Sequence, residues 1–210
     1  MDQELPKIHP RSAEEIATYE EQERKRITLE ILGRANFPRT YAPNQLERYS
    51  KHEGWRKAFD EVLELLRKHP PAGDFGALIA IIGFRGTGKT ALGVEVMRAT
   101  AHKHMFVYYA NLLACLQRLR FNNEPAQTQE DYWDPALLVL DEAGVTPNSK
   151  REEDEFSRLV DERQSNQKHT ILIAPARLSD LDLLFTPSIR ERLNTPKTSK
   201  VIHLDWESLR

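Results

Sequence analysis

The sequence predicts a three-layer α/β/α fold of the phosphate-loop type, with a five-stranded parallel sheet and a helical extension ahead of it. Three observations carry that expectation. Gly83-Phe84-Arg85-Gly86-Thr87-Gly88-Lys89-Thr90 has the spacing of a phosphate-binding loop, and it lies between an apolar run and a stretch of helical periodicity. Leu137-Leu138-Val139-Leu140 is a continuous apolar run ending in Asp141-Glu142, as expected of a strand buried on both faces of a parallel sheet. Strand-length runs then alternate with helical stretches through the rest of the chain, which implies helices on both sides of one sheet. At 210 residues the chain can build one such domain and a short appendage.

Taken in order, residues 1–12 contain Pro6 and Pro10 and read as irregular. Ser12, with Glu15 three positions on, resembles a helix start, and the helix runs to Leu32 before Gly33 stops it. Its first half, Glu20 to Arg26, is almost all charge, so it is either a solvated helix or a partner-binding appendage. Residues 34–54 are rich in turn formers. Trp55 to His69 is amphipathic, with Trp55, Phe59, Val62, Leu63, Leu65 and Leu66 along one stripe, and Pro70-Pro71-Ala72-Gly73 ends it. Ala77 to Ile82 is the first strand, and Ala91 to Ala99 the helix behind the glycine loop. Met105 to Ala110 is a second strand, rich in aromatic and β-branched residues, with Asn111 placed to cap a helix over Leu112 to Leu119. Residues 122–135 read as a loop between Pro125 and Pro135. After the third strand come a helix over Glu152 to Asn166 with a solvated charged face, and a strand over Thr170 to Ala174 closed by Pro175. Short helices follow over Leu178 to Leu184 and Ser188 to Leu193, then a strand over Lys200 to Leu204.

The chemistry of the loop explains its residue types. Glycines allow positive φ and leave no Cβ between backbone amides and a phosphate, and the helix N-terminus behind them faces the same anion. Gly83, Phe84, Arg85, Gly86, Thr87, Gly88, Lys89, Thr90 and Ala91 are therefore the expected nucleotide-binding residues. Lys89 is placed to reach the β- and γ-phosphates of ATP, and the Thr90 hydroxyl to ligate Mg²⁺. Asp141, at the C-terminal end of its strand, is the second expected Mg²⁺ residue, and Glu142 the base that orients the attacking water. A kinase acting on a small molecule does not need that second carboxylate, whereas an ATPase does.

Composition excludes several classes. Net charge is −2, so nucleic-acid binding requires a local basic patch rather than bulk charge. Cys115 is the only cysteine, which leaves no intramolecular disulfide and no cysteine-based zinc cluster and fits a reducing cytoplasm. His102-Lys103-His104 reads as a solvated helix end rather than a metal site, since alternate residues of a helix face different ways. No run reaches the ~20 apolar residues of a membrane span, and no signal peptide opens the chain.

With these residues in view, the chain resembles the DnaC-type helicase loaders of the AAA+ ATPases and is similar to the IstB-type transposition ATPases. Beyond the two nucleotide motifs, Asn36-Phe37-Pro38-Arg39-Thr40-Tyr41 resembles the family's lead-in segment, and Asp161-Glu162-Arg163 the approach to its sensor strand. Ser188-Ile189-Arg190-Glu191-Arg192-Leu193 matches its paired-arginine box, and Leu204-Asp205-Trp206-Glu207-Ser208-Leu209-Arg210 its tryptophan-x-serine-x-arginine ending. The resemblance implies an N-terminal extension over residues 1–54, an AAA+ domain over residues 55–210 and no helical lid domain. It implies a homo-oligomer on ATP binding, in which Arg190 or Arg192, with Arg192 favoured, reaches the γ-phosphate held by a neighbour. The implied activity is Mg²⁺-dependent ATP hydrolysis that loads a DnaB-type replicative helicase onto single-stranded DNA. Residues 13–32 would grip the helicase, and Arg118, Arg120 and Phe121 are candidates for the strand. The alternatives are a transposition ATPase that recruits a transposase to target DNA, and an ATP-holding switch with negligible turnover. The small size and lone ATPase core suit a phage or mobile-element product. One departure stands out: the family's serine-asparagine pair after the fourth strand is replaced by Ala174-Pro175, neither of which has a side-chain donor.

Overall fold

A computed structural model describes residues 13–38, 43–68, 75–101, 103, 105–121, 125–143 and 149–209. The irregular start expected for residues 1–12, the Pro70-Pro71-Ala72-Gly73 stop, and His102 and His104 lie outside the described residues. Three N-terminal helices, α1 (Ala13–Arg34), α2 (Pro43–Ser50) and α3 (Glu53–Lys68), precede strand β1 (Leu78–Gly83). There follow α4 (Lys89–Ala101), β2 (Val107–Asn111), α5 (Leu112–Phe121), α6 (Pro125–Thr128), a π-helical turn (Gln129–Trp133) and β3 (Leu137–Asp141). The chain continues through α7 (Lys150–Ser165), β4 (His169–Ala174), a 3₁₀ turn (Leu178–Asp180), α8 (Leu181–Leu184), α9 (Pro187–Leu193) and β5 (Ser199–Leu204).

The five described strands are all parallel, in the order β2-β3-β4-β1-β5. The order explains the sequence pattern. β1, β3 and β4 are internal and buried at every position, and these are the strands with unbroken apolar runs. β5 lies at an edge and is only partly buried, with Lys200 exposed beside buried Ser199 and Ile202. Side chains of successive strand residues point to opposite faces, so the core divides in two. Ile79, Ile81, Val139, Ile171 and Ile173 face α3 and α4 on one side. Leu78, Ala80, Ile82, Leu138, Leu140 and Leu172 meet α5, α7 and α9 on the other.

The N-terminal region divides along α1. Its charged first half is exposed, while Thr28 is buried and Ile31 and Leu32 pack on the core. The chain then adds itself to the free edge of β2: the Tyr109 amide donates to the Ala35 carbonyl at 2.9 Å, and the Asn36 side-chain amide to the Tyr109 carbonyl at 2.8 Å. Ala35 and Tyr49, on the N-terminal side of the boundary expected after residue 54, are both buried in this core.

Three expectations are corrected. The turn-rich reading of residues 34–54 missed α2, which Pro43 opens at the first helical position, where its missing N–H costs nothing. Residues 122–135 are not a plain loop. Asp131 is buried and gathers Arg118 Nη1 at 2.8 Å and Gln127 Nε2 at 2.7 Å, which winds the segment into α6 and the π-helical turn. On α7, the charged face is not wholly solvated, because Arg163 is 1% exposed. Its guanidinium donates to the carbonyls of Tyr132, Trp133, Pro135 and His169 and to Thr170 Oγ1, so each N–H is satisfied without a carboxylate. Burial holds its pKa below the usual arginine range, down to about 9.

Candidate functional site

β1 and β3 deliver the two motifs to the same end of the sheet, with β4 between them. There a cleft of about 390 Å³ is lined by Tyr49, Arg85, Gly86, Gly88, Lys89, Thr90, Asp141, Glu142 and Pro175. Lys89, Thr90, Asp141 and Glu142 therefore meet in one place with Arg85, Gly86 and Gly88, whereas Gly83, Phe84, Thr87 and Ala91 are not among the described residues lining the cleft. Lys89 opens α4 and is largely buried, its Nζ donating to the carbonyls of Gly83 at 2.9 Å and Phe84 at 2.6 Å. The ammonium is thus tethered across the loop it belongs to. Thr90 Oγ1 donates to Asp141 Oδ2 at 2.7 Å, bridging α4 and β3.

Two residues of β2 complete the acid pair, and sequence reasoning did not assign either to it. Tyr109 Oη donates to the same Asp141 Oδ2 at 2.7 Å. Asn111 Nδ2 donates to Glu142 Oε2 at 2.5 Å, while its Oδ1 accepts the Ala114 amide at 3.2 Å and caps α5 as expected. The register of β2 against β3 pairs Asn111 with Asp141, and this is what brings the amide level with the glutamate. The only advance signal was the position of Asn111 at the end of a strand. Glu142 itself is in the left-handed region at φ 58°, and its amide donates to Asp141 Oδ1 at 2.7 Å. A non-glycine residue held there costs about 1–3 kcal/mol, a cost that collects where side-chain direction matters.

The donor set suits Mg²⁺. Thr90 and Asp141 place a hydroxyl and a carboxylate oxygen side by side at the cleft, and a hard cation that keeps several waters takes one or two such oxygens plus substrate phosphates. Among the described residues no group of three or more His, Cys, Asp or Glu side chains could hold a metal by itself.

The phosphate loop is braced from behind by residues the motif does not contain. Trp55 Nε1 of α3 donates to the Gly88 carbonyl at 3.2 Å, and Trp206 Nε1 to the Thr87 carbonyl at 3.0 Å. Gly86 has φ +87° and Gly88 φ +93°; a Cβ on Gly86 would overlap Ser208 Oγ, and one on Gly88 would come 2.8 Å from Tyr49.

Arg190 and Arg192 are not among the described residues lining the cleft. Arg190 Nη1 pairs with Asp182 at 2.5 Å, and Arg192 pairs with Asp161 of α7 and donates to Gln164 Oε1 at 3.1 Å. Both side chains remain about one-third exposed, at 33% and 31%. Pro175, at the position of the expected sensor asparagine, does line the cleft and offers it no donor. Arg118 pairs with Asp131 and Arg120 with Glu152, so both candidate strand-binding cations already face carboxylates; the side chain of Phe121 lies outside the described residues.

Comparison with known proteins bears on the family and the fold. The family model for IstB-like ATP-binding proteins matches residues 75–188. The replicative helicase loader DnaC of Escherichia coli K12 is 24% identical over 133 residues, 61% of this chain and 54% of that protein. A protein of insertion sequence IS232 from Bacillus thuringiensis subsp. berliner, described there as ATP-binding, is 29% identical over 110 residues, 51% of this chain and 44% of that protein. The chain thus spans about half the length of these curated relatives. Among solved structures, the DnaC helicase loader superposes with a TM-score of 0.61 at 19% identity, covering 80% of this chain and 96% of that one. At that identity the likeness speaks for the fold.

Proposed function

The chain belongs to the family of IstB-like ATP-binding proteins, and on that premise we propose that it is a Mg²⁺-dependent ATPase that loads a DnaB-type replicative helicase onto single-stranded DNA. The observation that carries the ATPase reading is the convergence of Lys89, Thr90, Asp141 and Glu142 on one cleft. The amides of residues 86–90 would hold the α- and β-phosphates, Lys89 would reach the β- and γ-phosphates, and Thr90 with Asp141 would hold the cation. When bound, Mg²⁺ supplies charge neutralisation across the phosphate oxygens. Glu142, fixed by Asn111 and by its own backbone, accepts a hydrogen bond from the attacking water and polarises it in line with the γ-phosphate. Arg192, or Arg190, supplies positive charge to the γ-phosphate of a neighbouring copy once it leaves its own carboxylate. In an assembly of identical chains each copy then gives one arginine and receives another.

The loader reading draws on the likeness to DnaC and on α1, whose charged half reaches beyond the core. That half, within residues 13–32, is the segment we assign to the helicase. A second reading, an ATPase that recruits a transposase to target DNA, draws on the family description and on the IS232 relative. The deciding experiment is a pull-down of the full chain with the replicative helicase and with the transposase of the same host, in ATP and in ADP. Helicase capture that depends on residues 13–32 is the expected result. Capture of the transposase alone selects the second reading, and capture of neither leaves no ground for a loader.

A further inference from the structure

Trp206, Ser208 and Leu209 mark the ending that makes the sequence distinctive, and the chemistry of ATP hydrolysis leaves them without a task. They lie against the phosphate loop. Leu209 donates its backbone N–H to the Gly86 carbonyl at 3.0 Å, Trp206 its indole N–H to the Thr87 carbonyl at 3.0 Å, and Trp55 its indole N–H to the Gly88 carbonyl at 3.2 Å. Consecutive peptide planes of the loop are therefore gripped from behind. Trp206 and Leu209 also pack on the core that holds α3, the Trp206 ring sits 4.5 Å from that of His52, and Ser208 occupies the space a Cβ on Gly86 would need.

A trans peptide is rigid, and its N–H points opposite to its C=O. Fixing the carbonyls of Gly86, Thr87 and Gly88 away from the cleft therefore aims the N–H groups of Thr87, Gly88 and Lys89 into it. An array of amides aimed at one point is an anion site, and it binds more tightly when its orientation is set beforehand. We propose that the Trp206–Leu209 segment is the positioning element of the phosphate loop, so that nucleotide affinity depends on its donors. The proposal rests on the ATP-binding reading. It predicts equal losses for ATP and ADP, because these amides serve phosphates that both nucleotides carry, whereas a γ-phosphate contact would affect ATP alone.

The test titrates full-length chains with fluorescent ATP and ADP analogues. Trp206→Phe is expected to weaken both about tenfold, the worth of one hydrogen bond at a site where the acceptor loses its partner. Replacing Trp206 by benzothienylalanine, which keeps the bicycle and lacks the N–H, should do the same with unchanged packing. Replacing it by 7-azatryptophan, which keeps the donor, should restore wild-type affinity. Leu209→Pro deletes the other donor and should weaken both nucleotides to a similar degree. Wild-type affinity in the benzothienylalanine and Leu209→Pro chains overturns the proposal, as does a loss confined to ATP. If the wild-type chain binds neither analogue, the ATP-binding reading itself fails, and that titration tells the two failures apart.

Discussion

Lys89 and Arg192 are both cations that the sequence directs toward a phosphate, and the fold treats them differently. Lys89 is buried at the start of α4, tethered to two carbonyls of its own loop and facing a cleft that Thr90, Asp141 and Glu142 share. Arg192 stands on α9 outside that cleft, about one-third exposed and paired with Asp161. The first arrangement is finished within one chain. The second holds a charged group at the surface with a carboxylate for company, which is how a group can be kept oriented until a better anion arrives. Under the proposed function, phosphate binding would be complete within one chain, while the arginine would act only against another molecule.

Five substitutions test this contrast. Arg192→Ala should lower kcat by about 10³–10⁵ with little change in ATP affinity, measured by steady-state phosphate release against nucleotide titration. A larger effect from Arg190→Ala would transfer the role to its neighbour. Glu142→Gln should lower kcat by about 10²–10⁴ and leave ATP bound; unchanged turnover would remove Glu142 from the mechanism. Lys89→Ala should weaken ATP about a hundredfold, since it deletes charge-assisted bonds to two phosphates, and calorimetric titration reads this directly. Asn111→Ala should cost about tenfold in turnover by freeing Glu142, with thermal unfolding within a few degrees of wild type. Each of these acts on the intramolecular half except the two arginine replacements.

The sheet and its nucleotide motifs were legible because their signals are local. An unbroken apolar run announces an internal strand, and β1, β3 and β4 are internal. Glycine spacing announces the loop, and the acids after β3 announce its companion. What escaped the sequence depends on neighbours distant along the chain. Tyr109 and Asn111 join the acid pair only through the β2–β3 register. Arg163 looks like one charge among many on α7 until the fold closes carbonyls from the π-helical turn and β4 around it. Trp55 and Trp206 flank the loop from opposite ends of the domain, and nothing in their spacing foretold that they grip adjacent peptide units. The helix α2 was hidden by turn-forming composition, and among its described side chains the buried one is Tyr49, beside Gly88.

The central claim is that a working site takes its phosphate loop from one copy of the chain and its arginine from another. The direct measurement mixes Arg192→Ala chains with Lys89→Ala chains, at an ATP concentration that fills the intact loop and leaves the Lys89→Ala loop largely empty, so that each is strongly impaired alone, and follows phosphate release. In the mixture an Arg192→Ala subunit with an intact loop can receive the arginine of a Lys89→Ala neighbour, so hydrolysis should reappear above either chain alone. Persistent inactivity in a mixture whose chains co-assemble by analytical ultracentrifugation would contradict a site shared between copies.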